Sequence, residues 1–162
     1  MNIIPIVYAI ISILNQSHSN FELIIMDDGS TDKSIDIIKS FNDKRIVLYQ
    51  DGVNKGLPAR LNEISILAKG RYLARMDADD ISHHKRFEYQ VEFLEKNPDI
   101  GVCGSWYSII GGDKVIKYST EDQAIKTDLL NICSFAHPTV MIRRVILTAN
   151  NLYYEYPYAE DY

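Results

Sequence analysis

Two short apolar runs, each ending abruptly in carboxylates, constrain this chain more than anything else in it. Residues 21–26 are Phe, Glu, Leu, Ile, Ile and Met, and they pass straight into Asp27, Asp28, Gly29 and Ser30. Residues 72–76 are Tyr, Leu, Ala, Arg and Met, and they pass straight into Asp77, Ala78, Asp79 and Asp80. Apolar runs this short have the length of a buried strand and are too brief for a stable helix. The Asp, Gly and Ser that follow are turn formers, so each run ends at a rim where side chains reach solvent.

Helical spacing fills the intervals. Ile35, Ile38 and Phe41 recur at helical spacing, with Ser30 or Thr31 as the predicted N-cap. Leu57, Leu61, Ile64 and Ala68 form one stripe, with Gly70 as its predicted C-cap. Phe87, Val91 and Leu94 mark a further amphipathic helix that Asn97 and Pro98 stop. Residues 45–49 and 100–105 read as strands, and residues 106–118 as a hairpin closed by Gly111, Gly112 and Asp113. Strands alternating with helices predict an α/β fold, a mostly parallel sheet with helices on both faces. At 162 residues, with no linker or repeat, the chain is predicted to be one domain over 1–162.

The longest apolar stretch, residues 3–14, is interrupted by Pro5, Tyr8 and Ser12 and falls short of a membrane span. It reads as a buried strand followed by a helix. A formal net charge of −5 argues against a nucleic-acid partner, which needs a basic face. Cys103 and Cys133 lie far apart in the sequence and outside any metal-ligand spacing, so they read as small buried apolar residues.

Several carboxylates on one rim repel one another unless a cation neutralises them. Asp32 and Asp36 are accounted for as turn and cap residues. Three aspartates in four residues after a buried strand exceed what a cap requires. Asp-x-Asp at a strand end offers two hard oxygen ligands suited to Mg²⁺ or Mn²⁺, which takes its other ligands from phosphates. Lys55, Arg60 and Arg75 are the candidate cations for a diphosphate; ordinary surface charge is the alternative, above all for Lys55.

Three stretches carry a resemblance. Residues 20–32, residues 54–62 (Asn, Lys, Gly, Leu, Pro, Ala, Arg, Leu, Asn) and residues 70–82 together look like family 2 glycosyltransferases. Arg86 and Gln90, the stretch from Ala136 through His137 and Pro138 to Met141, and the closing Glu160 and Asp161 resemble later parts of the same pattern. The resemblance implies a GT-A-like (Rossmann-like) fold with a nucleotide-sugar-binding half over about 1–105 and an acceptor-side part over about 106–162. It implies an inverting transferase that moves a sugar from a UDP-sugar to an acceptor hydroxyl. Asp28 would recognise the uracil imide, Asp27 would support its turn, and Arg60 would lie near the nucleotide or order the acidic loops. Asp77 would contact substrate, Asp79 and Asp80 would hold Mn²⁺ or Mg²⁺, and Asp161 would be the general base. The implied acceptor is a sugar, lipid-linked or polysaccharide hydroxyl in cell-surface synthesis. The implied setting is cytoplasmic, at the inner face of the membrane, with peripheral membrane association through segments beyond this chain.

Two departures from the pattern carry expectations of their own. Residues 4–8 pass directly into residues 9–16, so the family's intervening loop and the start of its first helix are expected to be missing. The chain stops just after Asp161, so that carboxylate is expected at a fraying end. The tyrosines at 153, 154, 156, 158 and 162 are read as packing against further chain. The alternatives are a nucleotide-binding module without turnover, a receiver-like phosphotransfer domain, and a nucleotidyltransferase, whose Gly-rich basic loop is not visible.

Overall fold

A computed structural model describes residues 4–149. Helix α1 (Ile4–Leu14) takes the whole first apolar run, where the sequence reading expected a strand before the helix. Pro5 sits in the first turn, where its missing N–H has no partner to lose. A helix closes its own backbone hydrogen bonds and still buries Ala9, Ile10 and Ile13. A strand here would have needed a neighbour.

Strand β1 (Leu23–Asp27) leads through a turn to α2 (Ser34–Ser40), and β2 (Ile46–Gln50) lies parallel to β1. The register pairs Leu23 with Ile46 and Asp27 with Gln50, so both strands end at the same edge. That places the loop after β2 beside the turn after β1. Asp32 serves as a turn residue, its Oδ1 accepting from the Ser34 N–H at 2.9 Å. The α2 cap is Lys33, without a side-chain cap bond, in place of Ser30 or Thr31.

Helix α3 (Leu57–Leu67) carries Pro58 in its first turn and ends at Ala68, before the predicted Gly70. Strand β3 (Tyr72–Ala74) is followed by the second acidic loop and by α4 (Arg86–Lys96), which stops at Asn97 as expected. Short strands β4 (Val102–Cys103), β5 (Tyr107–Ser108) and β6 (Val115–Ile116) follow, the last two forming the predicted hairpin. Helix α5 (Asp122–Asp128), a 3₁₀ turn (His137–Thr139), β7 (Met141–Arg143) and α6 (Arg144–Ala149) complete the described chain.

The α/β class holds, but among the described residues parallel pairing is confined to β1 and β2. The second sheet has the order β3-β7-β4 and is antiparallel throughout. Its middle strand comes last in the chain and enters between two strands laid down earlier. The main core joins the pieces: Ile13, Phe87, fully buried Leu94 and Met141, with Phe21, Leu23, Tyr72 and Met76 packed against them. Both acidic strands are therefore anchored on one apolar cluster, β1 through Leu23 at its start and the β3 segment through Tyr72 and Met76. Cys103 and Cys133 are only half-buried, Cys133 Sγ donating to the Phe135 carbonyl at 2.9 Å, and burial pushes the Cys103 thiol up to about 11.

Candidate functional site

The turn after β1 is held from within. Asp27 is buried, and its carboxylate accepts from the Gly29 N–H at 3.1 Å and the Ser30 N–H at 3.2 Å. Gly29 has φ +81°, a left-handed conformation natural to glycine, and its α-carbon packs close to residues 53 and 54. Asp27 thus braces the turn through its own backbone amides.

Asp28 faces the neighbouring loop. Its Oδ1 accepts from the Lys55 N–H at 2.7 Å and from Arg60 Nε at 2.9 Å, and its Oδ2 from the Gly56 N–H at 3.0 Å. Desolvation pushes the carboxyl up, but the Lys55 amide, the Arg60 guanidinium and the Gly56 amide outweigh it and hold it below the usual range. A carboxylate has about four acceptor positions, so three protein donors leave one, on Oδ2.

Arg60 organises this rim. Its side chain is only 5% exposed, yet it reaches Asp28, Asp51 (2.6 Å), Glu63 (2.8 Å) and the Val53 carbonyl. Asp51, Glu63 and Asp28 raise its pKa further, so the guanidinium stays charged. Lys55 pairs with Asp51 at 2.8 Å and Glu63 at 2.7 Å. Both cations are thus engaged with carboxylates of the protein, Arg60 with Asp28, Asp51 and Glu63, and Lys55 with Asp51 and Glu63.

The second rim follows β3. Asp77 pairs with Arg75 at 2.8 Å, and its carbonyl accepts from the Asp80 N–H at 3.3 Å, closing the turn. Asp79 is exposed and Asp80 half-buried. Desolvation, then the charges of Asp77 and Asp79, raise the Asp80 carboxyl; Arg75 and Arg86 oppose the rise. Among the described residues no group of three or more His, Cys, Asp or Glu converges to hold a metal ion. The donors present are hard oxygens, so Asp79 and Asp80 fit a small divalent cation only together with phosphate oxygens. Asp161, Glu160 and the terminal tyrosines lie outside the described residues.

A contact that the sequence reading missed secures the far side of this loop. Gln16, just past α1 and buried, donates through Nε2 to the His83 carbonyl at 2.8 Å and accepts from the Phe87 N–H at 3.0 Å. Ser12 Oγ accepts from the Ser82 N–H at 3.0 Å. These partners are about 70 residues apart, and no local pattern marks a glutamine as the cap of a distant helix.

The profile of glycosyl transferase family 2 matches residues 5–150. The chain belongs to that family. An uncharacterized glycosyltransferase of Haemophilus influenzae is 34% identical over 170 residues, covering 95% of this chain and 53% of that protein. The Escherichia coli enzyme named UDP-Glc:alpha-D-GlcNAc-diphosphoundecaprenol beta-1,3-glucosyltransferase WfaP is 33% identical, covering 96% of this chain and 62% of its own. The chain spans about half the length of the first of these relatives. Among solved structures, Staphylococcus aureus TarS 1-349 in complex with UDP superposes with a TM-score of 0.78 at 22% identity, over 96% of this chain and 48% of that one. The mannosyltransferase PcManGT from Pyrobaculum calidifontis, in complex with GDP-Man and Mn²⁺, gives a TM-score of 0.66 at 16% identity, over 92% and 43%. These likenesses fix the fold as that of GT-A glycosyltransferases.

Proposed function

We propose that this family 2 chain is the donor-binding part of an inverting glycosyltransferase that takes a UDP-sugar. The observation that carries the reading is Asp28: an ionised carboxylate, fixed by three protein donors, with one acceptor position left. A uracil imide N–H is a single donor of the size that position admits. Asp27 and Arg60 would keep the position constant, and Asp77 would line the diphosphate side.

Asp79 and Asp80 would hold Mn²⁺ or Mg²⁺, which when bound supplies Lewis-acid stabilisation to a leaving diphosphate. An acceptor hydroxyl has a pKa far above 7, so a positioned carboxylate must take its proton, and Asp161 is the residue we assign. Residues 1–105 would then bind the donor, and later residues would shape the acceptor side. WfaP is named for a UDP-glucose donor and a diphosphoundecaprenol-linked acceptor, and TarS was solved with UDP; both support the nucleotide, and WfaP supports a lipid-linked acceptor. Among the described residues no helix is long and apolar enough to cross a membrane.

Titration of UDP with and without Mn²⁺ tests the reading. Binding should strengthen with Mn²⁺, lose that gain in Asp79→Asn, and weaken with or without metal in Asp28→Asn. Absent or metal-independent binding refutes it. Because the chain spans about half of its first-named relative, the second reading is binding without turnover. That reading predicts UDP-dependent thermal stabilisation with no release of UDP from any donor.

A further inference from the structure

Helix α4 begins with a charge that the preceding description leaves unexplained. Arg86 is 8% exposed and, among the described residues, has no carboxylate at hydrogen-bonding distance. Its Nη2 donates to the Arg75 carbonyl at 2.7 Å and the Val140 carbonyl at 3.1 Å, and its Nε donates to Gln90 Oε1 at 3.0 Å. Gln90 is buried too, and its Nε2 donates to the Thr139 carbonyl at 2.7 Å. The Arg75 N–H completes the junction by donating to the Val140 carbonyl at 3.0 Å. Arg75 in turn pairs with Asp77.

All three acceptors of Arg86 are uncharged. Taking a guanidinium out of water costs several kcal/mol, and a neutral side chain could fasten the same carbonyls more cheaply. Burial does weaken the charge, lowering the Arg86 pKa to about 10, so it remains protonated at neutral pH. What distinguishes this side chain is its reach: it fastens the Arg75 and Val140 carbonyls and Gln90 at once.

We propose that Arg86, held by Gln90, is the positioning residue of the acidic loop. It ties the backbone at Arg75, two residues before Asp77, to Val140, while Gln90 ties on to Thr139, so that the loop is ordered before a cation arrives. The inference rests on the reading that Asp79 and Asp80 hold a divalent metal. Arg86 itself touches neither metal nor substrate.

The test uses the 162-residue chain with UDP, reading free Mn²⁺ by its electron paramagnetic resonance signal. Arg86→Gln should weaken Mn²⁺ binding about tenfold or more, the size usual for residues that support metal ligands. Arg86→Lys, which keeps the charge, should recover most of that loss. Unchanged Mn²⁺ affinity in Arg86→Gln, with only a lower melting temperature, overturns the proposal and leaves a purely structural role. Asp79→Asn is the control: if wild type binds Mn²⁺ and this variant does not, the underlying reading stands whatever Arg86→Gln does. If wild type binds no Mn²⁺, both fall. Should Arg86→Gln not fold, wild type suffices. The ¹⁵N resonance of Arg86 Nε should shift on adding Mg²⁺ with UDP, and a stationary resonance overturns the proposal.

Discussion

Replacing Gly29 by alanine probes whether the two loops of the first rim are held by direct backbone approach. Gly29 has φ +81°, and a Cβ there would lie 3.2 Å from the Asn54 nitrogen and 3.3 Å from the Val53 carbonyl carbon. Left-handed backbone costs an L-residue about 1–2 kcal/mol. Pushing an extra carbon against backbone atoms that cannot rotate away adds about 1–3 kcal/mol. The expected loss is therefore about 2–5 kcal/mol. Gly111→Ala is the matched control, because Gly111 has φ +84° on the distant hairpin and a Cβ there meets nothing within 4 Å. It should lose only the backbone share, about 1–2 kcal/mol. Urea unfolding of both variants measures the difference. If the turn retreats from residues 53 and 54, the Lys55 and Gly56 amides move off Asp28, and UDP affinity should fall about tenfold in Gly29→Ala, roughly the worth of one charge-assisted hydrogen bond. Gly111→Ala should bind UDP as wild type does. Equal stability losses in the two variants, or an excess loss without any change in UDP binding, would refute the reasoning.

Other expectations follow from the core and from the titrating groups. Leu94 is fully buried in the main cluster, so Leu94→Ala should cost about 2–5 kcal/mol by urea unfolding, and a loss under 1 kcal/mol would mean the site collapses to fill the space. Asp28 and Asp51 both titrate below their unfolded values, Asp51 chiefly because Arg60 and then Lys55 bond to it. Their contribution is whole above about pH 4 and is lost as pH falls through the folded values. Melting temperatures from pH 6 down to pH 2 should show that decline, and Arg60→Met should flatten it; an unchanged slope counts against the network. With its thiol near 11, Cys103 should react slowly with iodoacetamide at pH 8, only about a thousandth being thiolate, and tenfold faster at pH 9. A rate independent of pH over that interval contradicts the burial.

Much of the site was legible because its chemistry is local. Asp27, Asp28, Asp77, Asp79 and Asp80 stand directly at the ends of short apolar runs, and a strand end followed by a turn must present them on a rim. The identity of Arg60 as a bridge was half visible, as one of the two roles its motif implied. Its partners Asp51 and Glu63 flank it in sequence within one helical turn and one loop. The hairpin at residues 106–118 and the stop of α4 at Asn97 came from turn residues whose backbone preferences act wherever they occur.

What failed was whatever depended on neighbours in space. Residues 4–8 are rich in β-branched side chains and read as a strand, but α1 needs no partner strand and buries Ala9, Ile10 and Ile13 further along. The sheet direction changed because β7 inserts between β3 and β4 from the far end of the chain, and hydrophobic patterning carries no record of pairing order. Arg86 and Gln90 were visible as motif positions only; their shared task appears when residues 75, 139 and 140 come together. Gln16 had no signal at all.

The sequence by itself determined which residues meet water at the strand ends and how concentrated their charge is, because strand length, turn chemistry and carboxylate spacing act over a few residues. Only the tertiary structure decided how that charge is held. Arg60 and Arg86 work through burial and through acceptors brought from elsewhere in the chain, and the strength of a buried charge is set by the atoms that surround it.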